Sequence, residues 1–190
     1  MKNFFSDYVA KQKQTLDTIP LESVAAVVNV FKEALENDRQ IFVFGNGGSA
    51  ANASHFVTDL GKGSSDKTWK RFRCLSLNDN TPWITALGND YAYEDVFTRQ
   101  LMNFCRPGDI IFVMSVSGNS PNLVNAAAWA KENKVRVIAL AGGKKGKLAE
   151  LADIALVVDD VHYGRVEDAH MGICHMIAYA FMELTALQKK

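Results

Sequence analysis

Cysteine and proline are scarce in this chain, and neither sign of charge prevails. There are three cysteines and four prolines in 190 residues, with 21 lysines and arginines against 21 aspartates and glutamates. Each shortage excludes something. Cys74, Cys105 and Cys174 are widely spaced and form no CxxC pair, so a thiolate zinc site is ruled out, and each suits a small core residue of a reducing compartment. The balanced charge, with no long basic block, gives no electrostatic basis for capturing nucleic acid or an anionic membrane. No apolar run reaches membrane-spanning length. The first eleven residues alternate charged and aromatic side chains and lack the unbroken apolar core of a signal peptide. Repeats, low-complexity tracts and an interdomain linker are also missing. The expectation is a single domain over residues 1–190, cytoplasmic, with no nucleic-acid or membrane partner.

What is present is an alternation of apolar runs and amphipathic stretches. Phe4, Tyr8, Val9 and Leu16 recur at helical intervals before Pro20, and Val24, Val27, Val28, Phe31 and Leu35 repeat the pattern over Leu21 to Leu35. These two leading helices, within 1–38, are expected to pack in an oligomer, the first through its aromatic residues. Strands are predicted at Gln40–Phe44, Phe72–Leu77, Asp109–Met114, Val135–Ala141 and Ile154–Val158, with helices between them. Gly61 to Lys67 reads as a polar loop. Thr81 caps a short helix from Trp83 to Leu87 with Pro82 in its first position, Gly88-Asn89-Asp90 is a turn, and a further helix covers Tyr93 to Phe104. A short basic helix over Lys144 to Ala152 follows Gly142-Gly143, and a long terminal helix covers about Glu167 to Leu187. The class is α/β, a three-layer sandwich with a mainly parallel five-stranded sheet.

Two glycine-and-hydroxyl turns follow buried strands: Gly45-Asn46-Gly47-Gly48-Ser49 and Ser115-Val116-Ser117-Gly118-Asn119-Ser120. Neither has the spacing of a dinucleotide fingerprint or the lysine of a P-loop. Three hydroxyls around a glycine, ahead of a helix opened by Pro121, can bind a phosphate monoester without a cationic side chain. The plainer alternative is a turn in which Ser120 only caps its helix. His55 and Asp59 share a helix face at four-residue spacing, suited to a shared metal, a shared substrate or simply a surface hydrogen bond. Glu167 and His170 share a face on the terminal helix. Glu167 and His175 are eight apart, about 12 Å along a helix, and meet at one ion only if Glu167 precedes regular helix or both side chains reach inward. Asp168 reads as a first-turn acid, and His162 lies in a loop without a role.

Together, GNGGSAANASHF, ALGND at 86–90, SVSGNS and EDAHMGICH at 167–175 resemble the sugar isomerase (SIS) family, and within it the phosphoheptose isomerases. The resemblance covers nearly the whole chain. It implies a homotetramer with sites between subunits, a sugar-phosphate substrate and zinc. It places substrate contacts at Asn46, Gly47, Gly48, Ser49, Asn89, Asp90, Ser115, Val116, Ser117 and Ser120. Metal ligands correspond to His55, Asp59, Glu167 and His175, with Asp59, Glu167 and His175 also the catalytic positions. Three positions depart from the family pattern: Asp59 stands for a glutamate, Glu167 for a glutamine, and Val116 for the threonine of Ser-Thr-Ser.

The implied reaction is aldose–ketose isomerisation of sedoheptulose 7-phosphate to D-glycero-D-manno-heptose 7-phosphate through an enediolate. It needs a base at the carbon beside the carbonyl and an acid at the adjacent oxygen. Asp59 is the expected base, or Glu167 if zinc engages Asp59, with His175 as acid partner. Two other classes resemble the same first motif: a non-catalytic adaptor for a replication-initiation protein, and a sugar-phosphate sensor. The full set of acids and histidines favours the enzyme.

Overall fold

The computed structural model describes residues 1–188. Strands β1 (Gln40–Gly45), β2 (Arg73–Ser76), β3 (Ile110–Ser115), β4 (Arg136–Gly142) and β5 (Ile154–Val158) form one parallel sheet in the order β2-β1-β3-β4-β5. The central strands are apolar on both faces because both faces are covered, as a parallel sheet requires. Ile41, Val43, Ile110, Phe112 and Met114 point to one side, where α2 (Leu21–Glu36), α3 (Gly48–Thr58) and α9 (Tyr163–Glu183) pack. Phe42, Phe44, Ile111 and Val113 point to the other, covered by α5 (Thr81–Asp90), α6 (Thr98–Phe104), α7 (Pro121–Glu132) and α8 (Gly146–Leu151). Phe31, Phe56 and Phe112 meet ring to ring on the first side and are fully buried, each contributing about 2–3 kcal/mol. The result is the expected three-layer sandwich.

Helix α1 (Lys2–Asp17) lies outside this sandwich, against the start of α9. Thr15 donates to Asp160, Gln12 donates to the Arg165 carbonyl, and Tyr8 meets the His162 ring edge-on. Phe4, Phe5, Val9 and Leu16 remain exposed.

Several local expectations change. The polar stretch 61–67 is helical: a π-helical segment over Asp59–Ser64 continues α3 and ends in the single turn α4 (Ser65–Lys67). Gly63 serves close packing on α9, since a Cβ there would strike Met182, and Ser64 donates to the Ala178 carbonyl; Gly61 faces Cys74 of β2. Asn80, not Thr81, caps α5 by accepting from the Trp83 amide, and α5 runs through Gly88-Asn89-Asp90 instead of turning there. The stretch 93–104 splits into a 3-10 turn, Tyr93–Asp95, and α6. Helix α9 starts at Tyr163 with His162 as its cap, so Asp168 lies beyond the first turn, and the chain ends α9 at Glu183 before a 3-10 turn.

Candidate active site

In this strand order the chain leaves β1 toward one side and, after β2, returns to the other side of β1 as β3. The gap between the carboxyl ends of β1 and β3 is therefore the topological switch point, where open α/β sheets place their ligands. Both glycine-and-hydroxyl turns open onto it. Asn46 to Ser49 forms a tight turn closed by the Ser49 amide on the Asn46 carbonyl. Gly47 there has φ +56 and ψ −123, the first-corner geometry of a II′ turn, which glycine alone adopts without strain. Asn78, one turn beyond β2, holds this corner by accepting from the Gly45 amide and donating to its carbonyl.

The serine turn uses its hydroxyls as acceptors. Ser115 Oγ accepts from the Gly118 amide at 3.1 Å, and Ser117 Oγ accepts from the Asn119 amide at 3.3 Å. The two hydroxyls also lie 3.5 Å apart, so one can donate to the other while the second keeps its proton for a ligand. Ser120 stands at the N-cap of α7 but its side chain makes no capping bond, so the plainer reading of Ser120 as only a cap does not hold. First-turn amides contribute little: Pro121 has none, and Leu123 and Val124 already bond the Ser120 carbonyl. The Asn122 amide and the serine hydroxyls are the donors that remain for an anion.

A cleft at this point is lined by Asn46, Ser49, Ser115, Ser117, Ser120 and Glu167, with Val116 and Tyr163 at its walls. Glu167 is in the second turn of α9, and its carboxylate lies over Gly48, where a Cβ would come within 2.4 Å of it. Asn52 of α3 donates to the Glu167 carbonyl at 2.9 Å. Burial raises the Glu167 carboxyl above its ordinary value, and neighbouring Asp168 adds to the shift.

Helices α3 and α9 run side by side in the same direction from this cleft, so a groove follows them. Further along it, Asp59 Oδ2 lies 3.4 Å from His55 Nε2 and 3.6 Å from His175 Nε2. The two imidazoles cross edge-on with centroids 5.2 Å apart. One ligand atom from each of His55, Asp59 and His175 lies within 4.8 Å of the others. Two imidazole nitrogens and one carboxylate oxygen make a donor set that suits zinc. Asp59 sits where α3 gives way to the π-helical segment, a widened turn of the kind that recurs at functional positions. Glu167 does not join this group: it lies within regular helix, eight residues and about 12 Å from His175. His170, three residues on from Glu167 in α9, is fully buried and takes no part in either group.

Asn89 and Asp90 sit exposed at the end of α5, bonded to each other, and do not line the cleft. Three residues on, Tyr93 reaches Asn46 Oδ1 through its hydroxyl at 3.1 Å. Asn46 also exchanges two 2.9 Å bonds with the buried Asn122. Asn122, Tyr93, Asn78 and Tyr163 are additions to the residues expected from sequence. Asn122 directly follows Pro121 after the serine turn, which is the one local signal that could have marked it.

Known proteins match this arrangement. The family model described as SIS domain matches residues 3–142, which includes both turns and stops before α9. A probable phosphoheptose isomerase of Thermoplasma volcanium is 38% identical over 90% of this chain and 87% of its own length. A phosphoheptose isomerase of Geotalea daltonii is 38% identical over 81% of this chain and 80% of its own. Among solved structures, a phosphoheptose isomerase from Neisseria gonorrhoeae superposes with a TM-score of 0.87 at 30% identity, covering 95% of this chain and 97% of that one.

Proposed function

The chain belongs to the SIS domain family, and from that premise we propose that it interconverts sedoheptulose 7-phosphate and D-glycero-D-manno-heptose 7-phosphate. Relatives named as phosphoheptose isomerases match over most of the chain, and the chain is a sugar-phosphate isomerase of that type. The observation that carries the reading is the groove itself. One end is a cleft of hydroxyl donors and the other a carboxylate held between two imidazoles.

The phosphate sits at the serine turn, receiving protons in hydrogen bonds from Ser115, Ser117 and Ser120. With carbon–carbon bonds of about 1.5 Å, an extended heptulose puts carbons 1 and 2 roughly 9 Å from the phosphorus. That span is comparable to the two helical turns, about 12 Å, separating Glu167 from His175. The reacting carbons then lie near Asp59 and His175. A carboxylate takes the proton from carbon 1 while an imidazole protonates the oxygen on carbon 2. The resulting enediol loses its carbon-1 hydroxyl proton as the carboxylate returns a proton to carbon 2, giving the aldose. Asp59 is that carboxylate where no metal engages it; Glu167, at the phosphate end of the groove and about 12 Å along α9 from His175, takes the part only for a substrate whose reacting carbons lie at that end. His175 serves the oxygens. Asn46, Gly47, Gly48 and Ser49 hold the sugar hydroxyls. Zinc, held by His55, Asp59 and His175, would supply positive charge against the enediolate.

The exposed apolar residues of α1 and the outward Met176 and Tyr179 of α9 support a homotetramer in which the groove borders a neighbouring subunit. Three unpaired cysteines, and the lack of any described helix long and apolar enough to cross a membrane, support a cytoplasmic setting.

The test is turnover of sedoheptulose 7-phosphate by the parent and by an Asp59→Asn, Glu167→Gln double variant, with metal content measured on both. The expected result is a loss of kcat of about 100-fold or more. Undiminished kcat in the double variant would rule out the assignment.

A further inference from the structure

The cleft that takes the phosphate has no lysine or arginine in its lining and does contain a carboxylate. A dianion therefore enters a site with no ionic partner of its own. Three cations are tied to the serine turn from the segment after β4: Lys144 and Lys145 on the loop before α8, and Lys147 in the first turn of α8. They line a separate cavity that shares Asn119 with the serine turn and also takes in Glu150. None of the three makes an ion pair among the described residues.

The segment that carries them is fixed to the serine turn by backbone. The Lys147 amide donates to Asn119 Oδ1, and the Leu148 amide donates to the Gly118 carbonyl. Gly118, with φ +64, is so close to Lys145 that a Cβ would lie 1.9 Å from the Lys145 carbonyl oxygen. Lys145 itself has φ 60 and ψ −62, and the Gly146 amide bonds the Lys144 carbonyl at 2.6 Å. These are the marks of a γ-turn of the rare, strained sense, a conformation better suited to glycine. A lysine kept in such a turn, beside an anion site that lacks cations, points to a use for its side chain.

We propose that Lys144, Lys145 and Lys147 form an anion-collecting site that draws phosphate monoesters toward the serine turn and raises their local concentration there. The inference rests on the phosphate-binding part of the proposed function. Three lysines against the single carboxylate of Glu150 leave a net positive cluster beside a low-dielectric cleft, which acts in this way, and the effect weakens as salt screens it.

The test uses the full chain with sedoheptulose 7-phosphate in turnover assays and inorganic phosphate in calorimetric binding. A Lys144→Gln, Lys145→Gln, Lys147→Gln triple variant should raise KM about tenfold at low salt, leave kcat unchanged, and flatten the dependence of KM on ionic strength. An unchanged KM with an unchanged salt slope would overturn the proposal. The single variant Lys145→Gly separates charge from backbone. It should melt a few degrees higher, by relief of the strained turn, yet bind phosphate more weakly. Higher melting with undiminished phosphate binding would also count against it. Failure of the parent to isomerise the sugar, with the charge dependence of phosphate binding intact, would remove the isomerase reading and leave this site standing.

Discussion

The two ends of the sheet differ in a way that cavity size does not predict. At the amino ends of the strands is a hollow of about 580 Å³, rimmed by Arg39, Lys131, Lys134 and Arg136. At the carboxyl ends the serine cleft measures about 60 Å³ and is lined without a cation. The larger hollow has the less available chemistry. Arg136 pairs with Glu33 at 3.4 Å, Lys131 with Asp153 at 3.7 Å, and Arg39 donates to the Pro107 carbonyl. The acids there are occupied with the backbone: Asp109 accepts from the Gln40 and Arg106 amides, and Asp153 from the Val137 amide. In the small cleft the hydroxyls also accept from backbone amides, but a hydroxyl that accepts still has a proton to give, and the 3.5 Å approach of Ser115 and Ser117 uses at most one of them. Unspent donor capacity at the switch point distinguishes the site.

The largest effect expected from this contrast belongs to Gly118→Ala. Its new Cβ would meet the Lys145 carbonyl, backbone that cannot swing aside as a side chain could. The φ of +64 adds strain. The variant should lose about 3 kcal/mol or more in denaturant unfolding, and its kcat/KM for sugar phosphate should fall about 100-fold as the serine turn shifts. A variant with parental stability and activity would show that the two loops are not held by this contact, and the contrast between the ends would lose its structural basis.

A second, smaller effect concerns a polar group at the carboxyl end that has no partner. His170 is fully buried on α9, and neither ring nitrogen finds a hydrogen-bond partner. Burial lowers its pKa from 6.5 to about 4. The native ring thus stays neutral where the unfolded chain would take up a proton. Its contribution to stability is complete above pH 6.5 and declines as pH falls from 6.5 toward 4, by roughly 3 kcal/mol in all. His170→Leu should flatten that decline in melts recorded between pH 8 and pH 4. An equal slope in both proteins would place the titration elsewhere.

The sheet and its order of elements were legible because burial on both faces writes continuous apolar runs, as at Ile110 to Met114, and those runs require no long-range information. The two turns were legible for a similar reason: glycine and hydroxyl residues concentrated directly after a buried strand. What could not be read were pairings across distance. Asn122 meets Asn46 across 76 positions, and Asn78 clasps Gly45 across 33; from sequence each is one more polar residue near a turn. The helical form of 59–67 was hidden for the opposite reason. Its glycines and serines spell a loop locally, yet Gly63 and Ser64 answer to the close approach of α9, and Gly61 and Ser65 to the stretch around β2. Helix spacing placed His55 with Asp59, while only the parallel run of α3 beside α9 brings His175 to them and leaves Glu167 at the cleft.

The smallest predicted effect tests the other half of the contrast. Arg39→Gln with Arg136→Gln removes two cations from the rim of the amino-end hollow. Both side chains are exposed, and Arg136 takes part in a surface ion pair with Glu33. Surface pairs of this kind contribute about 0–1 kcal/mol and are weakened by salt. The strand starts are held by Asp109 and Asp153, which this variant leaves in place. Unfolding midpoints should therefore move little, and kcat/KM should stay within about twofold of the parent. A distinct loss of sugar-phosphate turnover would mean that charge at the amino ends reaches the carboxyl-end cleft through the sheet, because no residue of the hollow lines that cleft.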